Sequence, residues 1–194
     1  MYLYGAGGHA KVIMDILRAQ GDTVEGVVDD NPEVKEIHGI PVVHDSDSMS
    51  PMIVSIGNNA IRKRIAERLS CKFGTAVHPS ALISDTVTIG EGTVVMHGAI
   101  IQTDSRIGRH CIINTGSQID HECHIGDYVH ISPNATLCGA ITIGEGAWIG
   151  AGAVIITGVK IGKWSVIGAG TVVTKDIPDN VLAYGNNCKV RKEF

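Results

Sequence analysis

From Ile83 to Val173 every sixth residue is aliphatic, sixteen positions in one frame without a miss, and Val77 extends the frame backwards. Four places after each aliphatic the residue is usually small, as at Ala99, Ser105, Cys111, Ser117, Cys123 and Ala135. Glycine often follows the aliphatic directly, as at Gly90, Gly108, Gly126, Gly144 and Gly162. An α-helix cannot use this pattern, because six residues advance it by about 600° and would spread the aliphatics over every face. A two-sided sandwich would instead show alternation at every second residue and irregular turn spacing. The pattern predicts a short strand, a tight corner and another strand, repeated. Three such hexads close a triangular coil, and coils stack at the ordinary interstrand spacing of about 4.8 Å. Sixteen hexads make roughly five coils.

The first part of the chain has a different rhythm. Tyr2–Tyr4 reads as a strand, Gly5-Ala6-Gly7-Gly8-His9 as a glycine turn, and Ala10–Ala19 as a helix with Val12, Ile13, Ile16 and Leu17 on one face. Val24–Val28 is a second strand ending in Asp29-Asp30, and Met52–Ile56 a third. Gly57-Asn58-Asn59 then leads into a helix through Ile61, Ile65 and Leu69. Strands alternating with helices imply a small parallel sheet whose binding edge carries the glycine turns. The expected organisation is a Rossmann-like α/β unit over residues 1–76 and a β-helix with its tail over 77–194.

Composition removes several function classes. Hydrophobic residues make up 44% of the chain and aromatics 4%, with 24 Gly, which suits thin repeated layers. The formal charge is −4 and no basic cluster stands out, so nucleic acid is not an expected partner. No apolar run reaches the ~18 residues of a membrane span. The N-terminus lacks the charged and apolar regions of a signal peptide. Five Cys form no CxxC pair, which reads as reduced thiols in the cytoplasm. The sequence Gly5-x-Gly7-x-x-Ala10, with Asp29 downstream, fits a relaxed dinucleotide fingerprint, but about 75 residues give only half of a dinucleotide fold. A nucleotide sugar with its phosphates at the turn fits better than NAD, and a purely structural turn stays open.

The hexads resemble those of the hexapeptide-repeat acyltransferases, over about residues 77–185. That resemblance implies a left-handed parallel β-helix, a homotrimer with active sites between subunits, and acetyl-CoA as donor. The segments YGAGGHAK, VDD, SIGNNAIRKRI and AVHPSALIS narrow the likeness to the sugar acetyltransferases of the sialic-acid and bacillosamine pathways. Within these, the chain is most similar to the UDP-4-amino-sugar N-acetyltransferases. The implied reaction is direct acetylation of the 4-amino group of a UDP-4-amino-4,6-dideoxy-N-acetyl sugar, with no metal.

The segment Asp120-His121-Glu122-Cys123 carries the chemistry. The frame turns Ile119 and Cys123 inward, so His121 and Glu122 face outward. Spacing alone favours an idle, solvated pair. The resemblance makes His121 the general base and Glu122 the acid that orients it. It also places the Gly139 amide at the oxyanion of the acetyl-CoA carbonyl and His130 beside the reacting groups. Gly7, Gly8, His9, Asp29, Asp30, Asn58 and Asn59 would bind the nucleotide sugar, with Asn114 facing it from the coil. Cys111 and Cys123 fall inward and should be inert; Cys138 lies where it can be exposed. One departure is the tail Gly185-Asn186-Asn187-Cys188-Lys189, where the family commonly has G-x-P-A-K at its CoA contacts. Three other readings remain: O-acetylation of sialic acid or a related sugar, a zinc carbonic anhydrase, and a non-catalytic scaffold or sugar sensor. The nine His contain no H-x4-H pair, which disfavours zinc.

Overall fold

The computed structural model describes residues 1–45 and 49–194. It begins with β1 (Tyr2–Tyr4), α1 (Gly8–Gln20), β2 (Gly26–Val28), β3 (Glu36–Ile37), β4 (Ile40–Val43), β5 (Met52–Val54) and α2 (Asn59–Arg68). The strands form one sheet in the order β3-β4-β2-β1-β5, parallel except for β3 against β4. Helix α1 buries Ala10, Ile13, Met14, Ile16 and Leu17, a stripe at helical spacing. It starts at Gly8, two residues before the expected Ala10, and stops at Gly21, whose φ of 84° lets its N–H turn back to the last carbonyls. The β3–β4 hairpin was not expected from the sequence. Its signal is the dipeptide His38-Gly39, with φ of 48° and 81°, the tight two-residue turn that suits twisted strands.

Beyond α2 come seventeen two-residue strands, one every six residues, from Ala76–Val77 to Val172–Val173. Each pairs in parallel with the strand eighteen residues away, as in Ile101↔Ile119↔Leu137↔Ile155↔Val173. The strands therefore fall into three sheets around a triangular prism of between five and six turns. This is the parallel β-helix that the hexads imply. The second residue of each pair points in, and stacked aliphatics with Ala99, Cys111, Cys123, Ala135, Ala147 and Ala153 fill the prism. Ile83 and Ile89 are only partly covered because they lie at its open end.

The glycines after the aliphatics have a steric cause. Gly90, Gly108, Gly126, Gly144 and Gly162 stand eighteen residues apart in one column, each against the backbone of the next coil. A Cβ on Gly108 would lie 2.7 Å from Asp127 N and from Gly126 C, and backbone cannot yield there.

At the far end, Val181–Tyr184 extends one sheet and Lys189–Glu193 folds back antiparallel along it. The atypical tail Gly185–Cys188 is the turn between them, and Cys188 N–H donates to Val172 O at 3.2 Å, closing the last coil.

The two parts are packed together. Val94, Met96 and Ile112, on the outside of one prism face, share a core with α1. Helix α2 lies on an adjoining corner, where Asn59 Nδ2 donates to Gly146 O (3.0 Å) and Ala147 O (3.2 Å), and Lys63 pairs with Glu145. No helix among the described residues is long and apolar enough to cross a membrane.

Candidate active site

His121 and Glu122 form the turn after the strand Gln118–Ile119, at one corner of the prism. Glu122 has a φ of 58°, the left-handed value that turns the chain, and its N–H donates to Thr103 O. The side chains are 49% and 64% exposed, so both face outward as the frame requires. His121 Nδ1 lies 3.0 Å from Glu122 Oε2. An ionised carboxylate only accepts, so Nδ1 must be the donor, and the neutral ring then carries its lone pair on Nε2. The His121 backbone N–H donates to Asp120 Oδ1 at 2.8 Å, which steadies the turn from below. Beside this corner a groove of about 210 Å³ runs over Ile100, Gln118, Asp120, Thr136, Leu137 and Cys138.

The cysteines are not placed for nucleophilic work. Cys111 is fully buried and burial pushes its thiol up to about 12. Burial likewise raises the Cys123 thiol, whose Sγ lies 3.3 Å from Cys138 O. Cys138 is half-buried against the prism core.

A second group sits on another face. His130 Nε2 lies 3.1 Å from Asn114 Nδ2, while Asn114 Oδ1 accepts from Thr115 N, so the amide donates and the His130 proton belongs on Nδ1. The ring is stacked parallel on Trp148, with centroids 5.7 Å apart. Burial, then the charges of Arg62 and His9, push His130 down to about 3. Burial and Arg62 push His9, in the first turn of α1, down to about 4. Both imidazoles are therefore neutral near pH 7. His130 Nδ1 and His9 Nε2, like His110 Nδ1, are buried without a hydrogen-bond partner among the described residues.

Arg62 underlies this group and was not picked out from the sequence. It is 1% exposed, and its five N–H groups reach His110 O, Ile56 O, Gly57 O, Tyr128 O and Asn59 Oδ1. Ile61, the first large aliphatic residue of the helix, is 39% exposed. The helix turns its arginine inward because five acceptors await it there. Spacing offered one clue: Asn59, Arg62 and Lys63 stand at i, i+3 and i+4 and all bond to the coil side.

The remaining predicted residues lie at the carboxyl edge of the small sheet. Gly7 caps α1 without a side chain, and a Cβ on Gly7 or Gly8 would meet open space, so the helix N-terminus is accessible. Asp29 accepts from Ala6 N (2.7 Å) and Asn31 N (2.9 Å), which clamps the glycine turn. Asp30 pairs with the Tyr4 hydroxyl and Arg68 on the wall of a cleft of about 930 Å³. Asn58 caps α2 by accepting from Ile61 N, and Asn59 holds α2 to the coil, so both side chains are engaged in the fold. Within one chain the structure brings His9, Arg62, Asn114 and His130 together. It leaves His121 apart, since Asn114 precedes the strand Gln118–Ile119 and His121 follows it, at opposite edges of one prism face.

Comparison with known proteins adds to this geometry. Residues 1–69 match the PglD N-terminal domain, and residues 86–121, 104–139 and 140–175 match the bacterial transferase hexapeptide (six repeats). A histidine variant of perosamine N-acetyltransferase from Caulobacter crescentus, solved in complex with CoA and GDP-perosamine, superposes with a TM-score of 0.95 at 40% identity. That match covers 99% of this chain and 96% of that one. The acetyltransferase domain of PglB from Neisseria gonorrhoeae, solved with acetyl coenzyme A, gives 0.90 at 36% identity over 98% of each. UDP-N-acetylbacillosamine N-acetyltransferase of Bacillus subtilis is 45% identical over 102 residues, 46% of this chain and 47% of that protein. The match thus spans about half the length of that curated relative. Across the solved relatives the likeness runs through both parts and nearly end to end, and on that ground the chain belongs to the hexapeptide-repeat transferases that carry a PglD-type N-terminal domain.

Proposed function

We propose that this chain transfers the acetyl group of acetyl-CoA to the 4-amino group of a UDP-linked 4-amino-4,6-dideoxy-N-acetyl sugar, with His121 as general base. The observation that carries the reading is the His121–Glu122 hydrogen bond, which leaves the Nε2 lone pair free on a half-exposed ring whose neighbour Asp120 lines a groove. The amine nitrogen attacks the thioester carbonyl, and the C–N bond forms as His121 takes the amine proton. The C–S bond then breaks, and that proton goes to the departing thiolate to give CoA-SH. The oxyanion in between needs a fixed donor. Gly139 N–H, which has no partner among the described residues, is the group we assign to it.

His9, His130 and Asn114 hold the sugar, and a small shift of the two rings frees their unpartnered nitrogens to bond it. The open N-terminus of α1 at Gly7-Gly8 receives the diphosphate, and the cleft at Asp30 the nucleoside end. Asp29, Asn58 and Asn59 shape this pocket through the backbone they hold.

The working form we propose is a homotrimer. One chain keeps His121 and the His130 group at opposite edges of a prism face, so a neighbouring chain must bring them together. That face also exposes apolar residues, with Leu82 64% accessible and Val154 and Ile156 beside the groove side.

The test is mass spectrometry of products from acetyl-CoA with UDP-4-amino sugars, GDP-perosamine and CMP-sialic acid. Acetylation of the UDP-amino sugar at nitrogen is expected. Acetyl transfer only to a sialic-acid hydroxyl would overturn the acceptor, and monomers in light scattering at full activity would overturn the shared site.

A further inference from the structure

The turn after each strand repeats every eighteen residues, so the position of His121 recurs at Thr103, Gly139 and Thr157. Gly139 alone lacks a side chain, and it lies directly under the histidine. A Cβ built there would stand 2.5 Å from His121 Cε1, 2.6 Å from Nε2 and 3.1 Å from Nδ1. All three atoms lie on the working edge of the ring, between its two nitrogens. Other side chains also rest on glycines of a neighbouring coil, among them His110 on Gly92, Asn134 on Gly116, Trp164 on Gly146 and Tyr184 on Gly168. Each of these lies back over the preceding coil. His121 lies forward, over the following one.

Gly139 does not need to be glycine for its backbone, because its φ lies outside the left-handed range occupied by Gly116 and Gly146. Nor is backbone among the three atoms nearest to it, as it is in the column at Gly108. What requires the missing side chain is the imidazole. We propose that Gly139 is a positioning residue, the floor on which His121 lies flat while Glu122 holds Nδ1 from the side. This deepens the reading of His121 as general base and rests on it. A half-exposed histidine has two free side-chain torsions and ample solvent to swing into. Without floor and carboxylate together, the lone pair on Nε2 would sweep past the groove instead of resting beside it.

The floor is distinct from any hydrogen bond that the Gly139 amide makes to the acyl carbonyl, and one substitution separates the two. Gly139→Ala keeps the N–H and adds only the Cβ. The ring must then move, and it can, so the prism should keep its thermal midpoint. The expected result is a kcat lowered about 10- to 100-fold, the scale of a misplaced catalytic group, with KM for acetyl-CoA and for the UDP-amino sugar unchanged. The decisive comparison is His121→Ala/Gly139→Ala against His121→Ala alone. If Gly139 acts through the ring, the second substitution adds less than about two-fold. A full further loss on the His121→Ala background, or a parent kcat in Gly139→Ala, would overturn the proposal. Imidazole nitrogen resonances of the same variants report on the ring itself. Displaced His121 signals in Gly139→Ala, with His9, His110 and His130 unmoved, support the floor; unmoved His121 signals overturn it. Should His121→Ala keep parent activity, the base assignment fails, while these resonances still decide whether Gly139 places the ring.

Discussion

Two histidines nine residues apart have opposite surroundings. His121 stands half-exposed at a prism corner with a carboxylate on Nδ1 and glycine beneath it. His130 is largely covered, stacked on Trp148, bonded to an amide and facing a buried arginine. The first environment keeps one nitrogen available beside a carboxylate. The second, by burial, disfavours the charged ring and keeps it neutral near pH 7. Residue type alone predicts neither; the face of the coil and its neighbour decide both.

Substitution at the exposed corner should have the largest effect. His121→Ala is expected to lower kcat by roughly 10²–10⁴-fold, the usual range for losing a general base, with little change in substrate binding. Steady-state kinetics check this, and near-parent turnover would move the base elsewhere, with His130 the first group to examine.

Arg62→Met should act in the opposite way, on stability. It strips donors from four backbone carbonyls and Asn59 inside a packed junction. A loss of about 2–4 kcal/mol in denaturant unfolding is expected, with Arg62→Lys intermediate because it keeps the charge but has three donors.

Acid should also distinguish the two regions. His9 and His110, each pushed down to about 4, and His130, pushed down to about 3, stay neutral in the folded chain. Unfolded histidines take protons below about 6.5. The stability these groups contribute is complete above that pH and falls as pH drops; the loss from His9 and His110 levels off near about 4 and that from His130 near about 3. Urea midpoints between pH 7.5 and 4.5 should trace this decline. None of the three can produce an acid limb in the rate above pH 5. A limb there that disappears in His121→Ala would belong to His121.

His130→Ala should raise KM for the sugar nucleotide about ten-fold, the scale of a lost hydrogen bond, and lower kcat less than His121→Ala does. Glu122→Gln should be milder still, several-fold in kcat, because the amide oxygen can accept from Nδ1 but gives up the charge-assisted part of the bond. A Glu122→Gln loss equal to that of His121→Ala would mean that the carboxylate does more than orient the ring.

Much of the coil was legible beforehand because its constraint is local and repeated. Each inward aliphatic at Ile101, Ile119 and Leu137 meets its copy eighteen residues on, so one frame reports the whole stack. The same frame correctly sent His121 and Glu122 outward and Cys111 and Cys123 inward. The α/β part was legible in outline, but α1 starts earlier than expected and the β3–β4 hairpin was missed, since a lone His38-Gly39 turn is a brief signal.

The sequence by itself determined the repeat, the outward pair at 121–122 and the glycine turn, because each depends on residues within one or two turns of chain. Tertiary structure decided that Arg62 faces inward while Ile61 does not, that Asn58 and Asn59 hold the fold, and that Gly139 lies beneath an imidazole. Apart from the Asn58 cap, which is local to α2, these outcomes depend on partners 18 to 88 residues away. Which carbonyls wait for a guanidinium, and which ring rests on a bare Cα, are settled only when separate stretches pack, since burial and hydrogen bonding belong to the assembled surface.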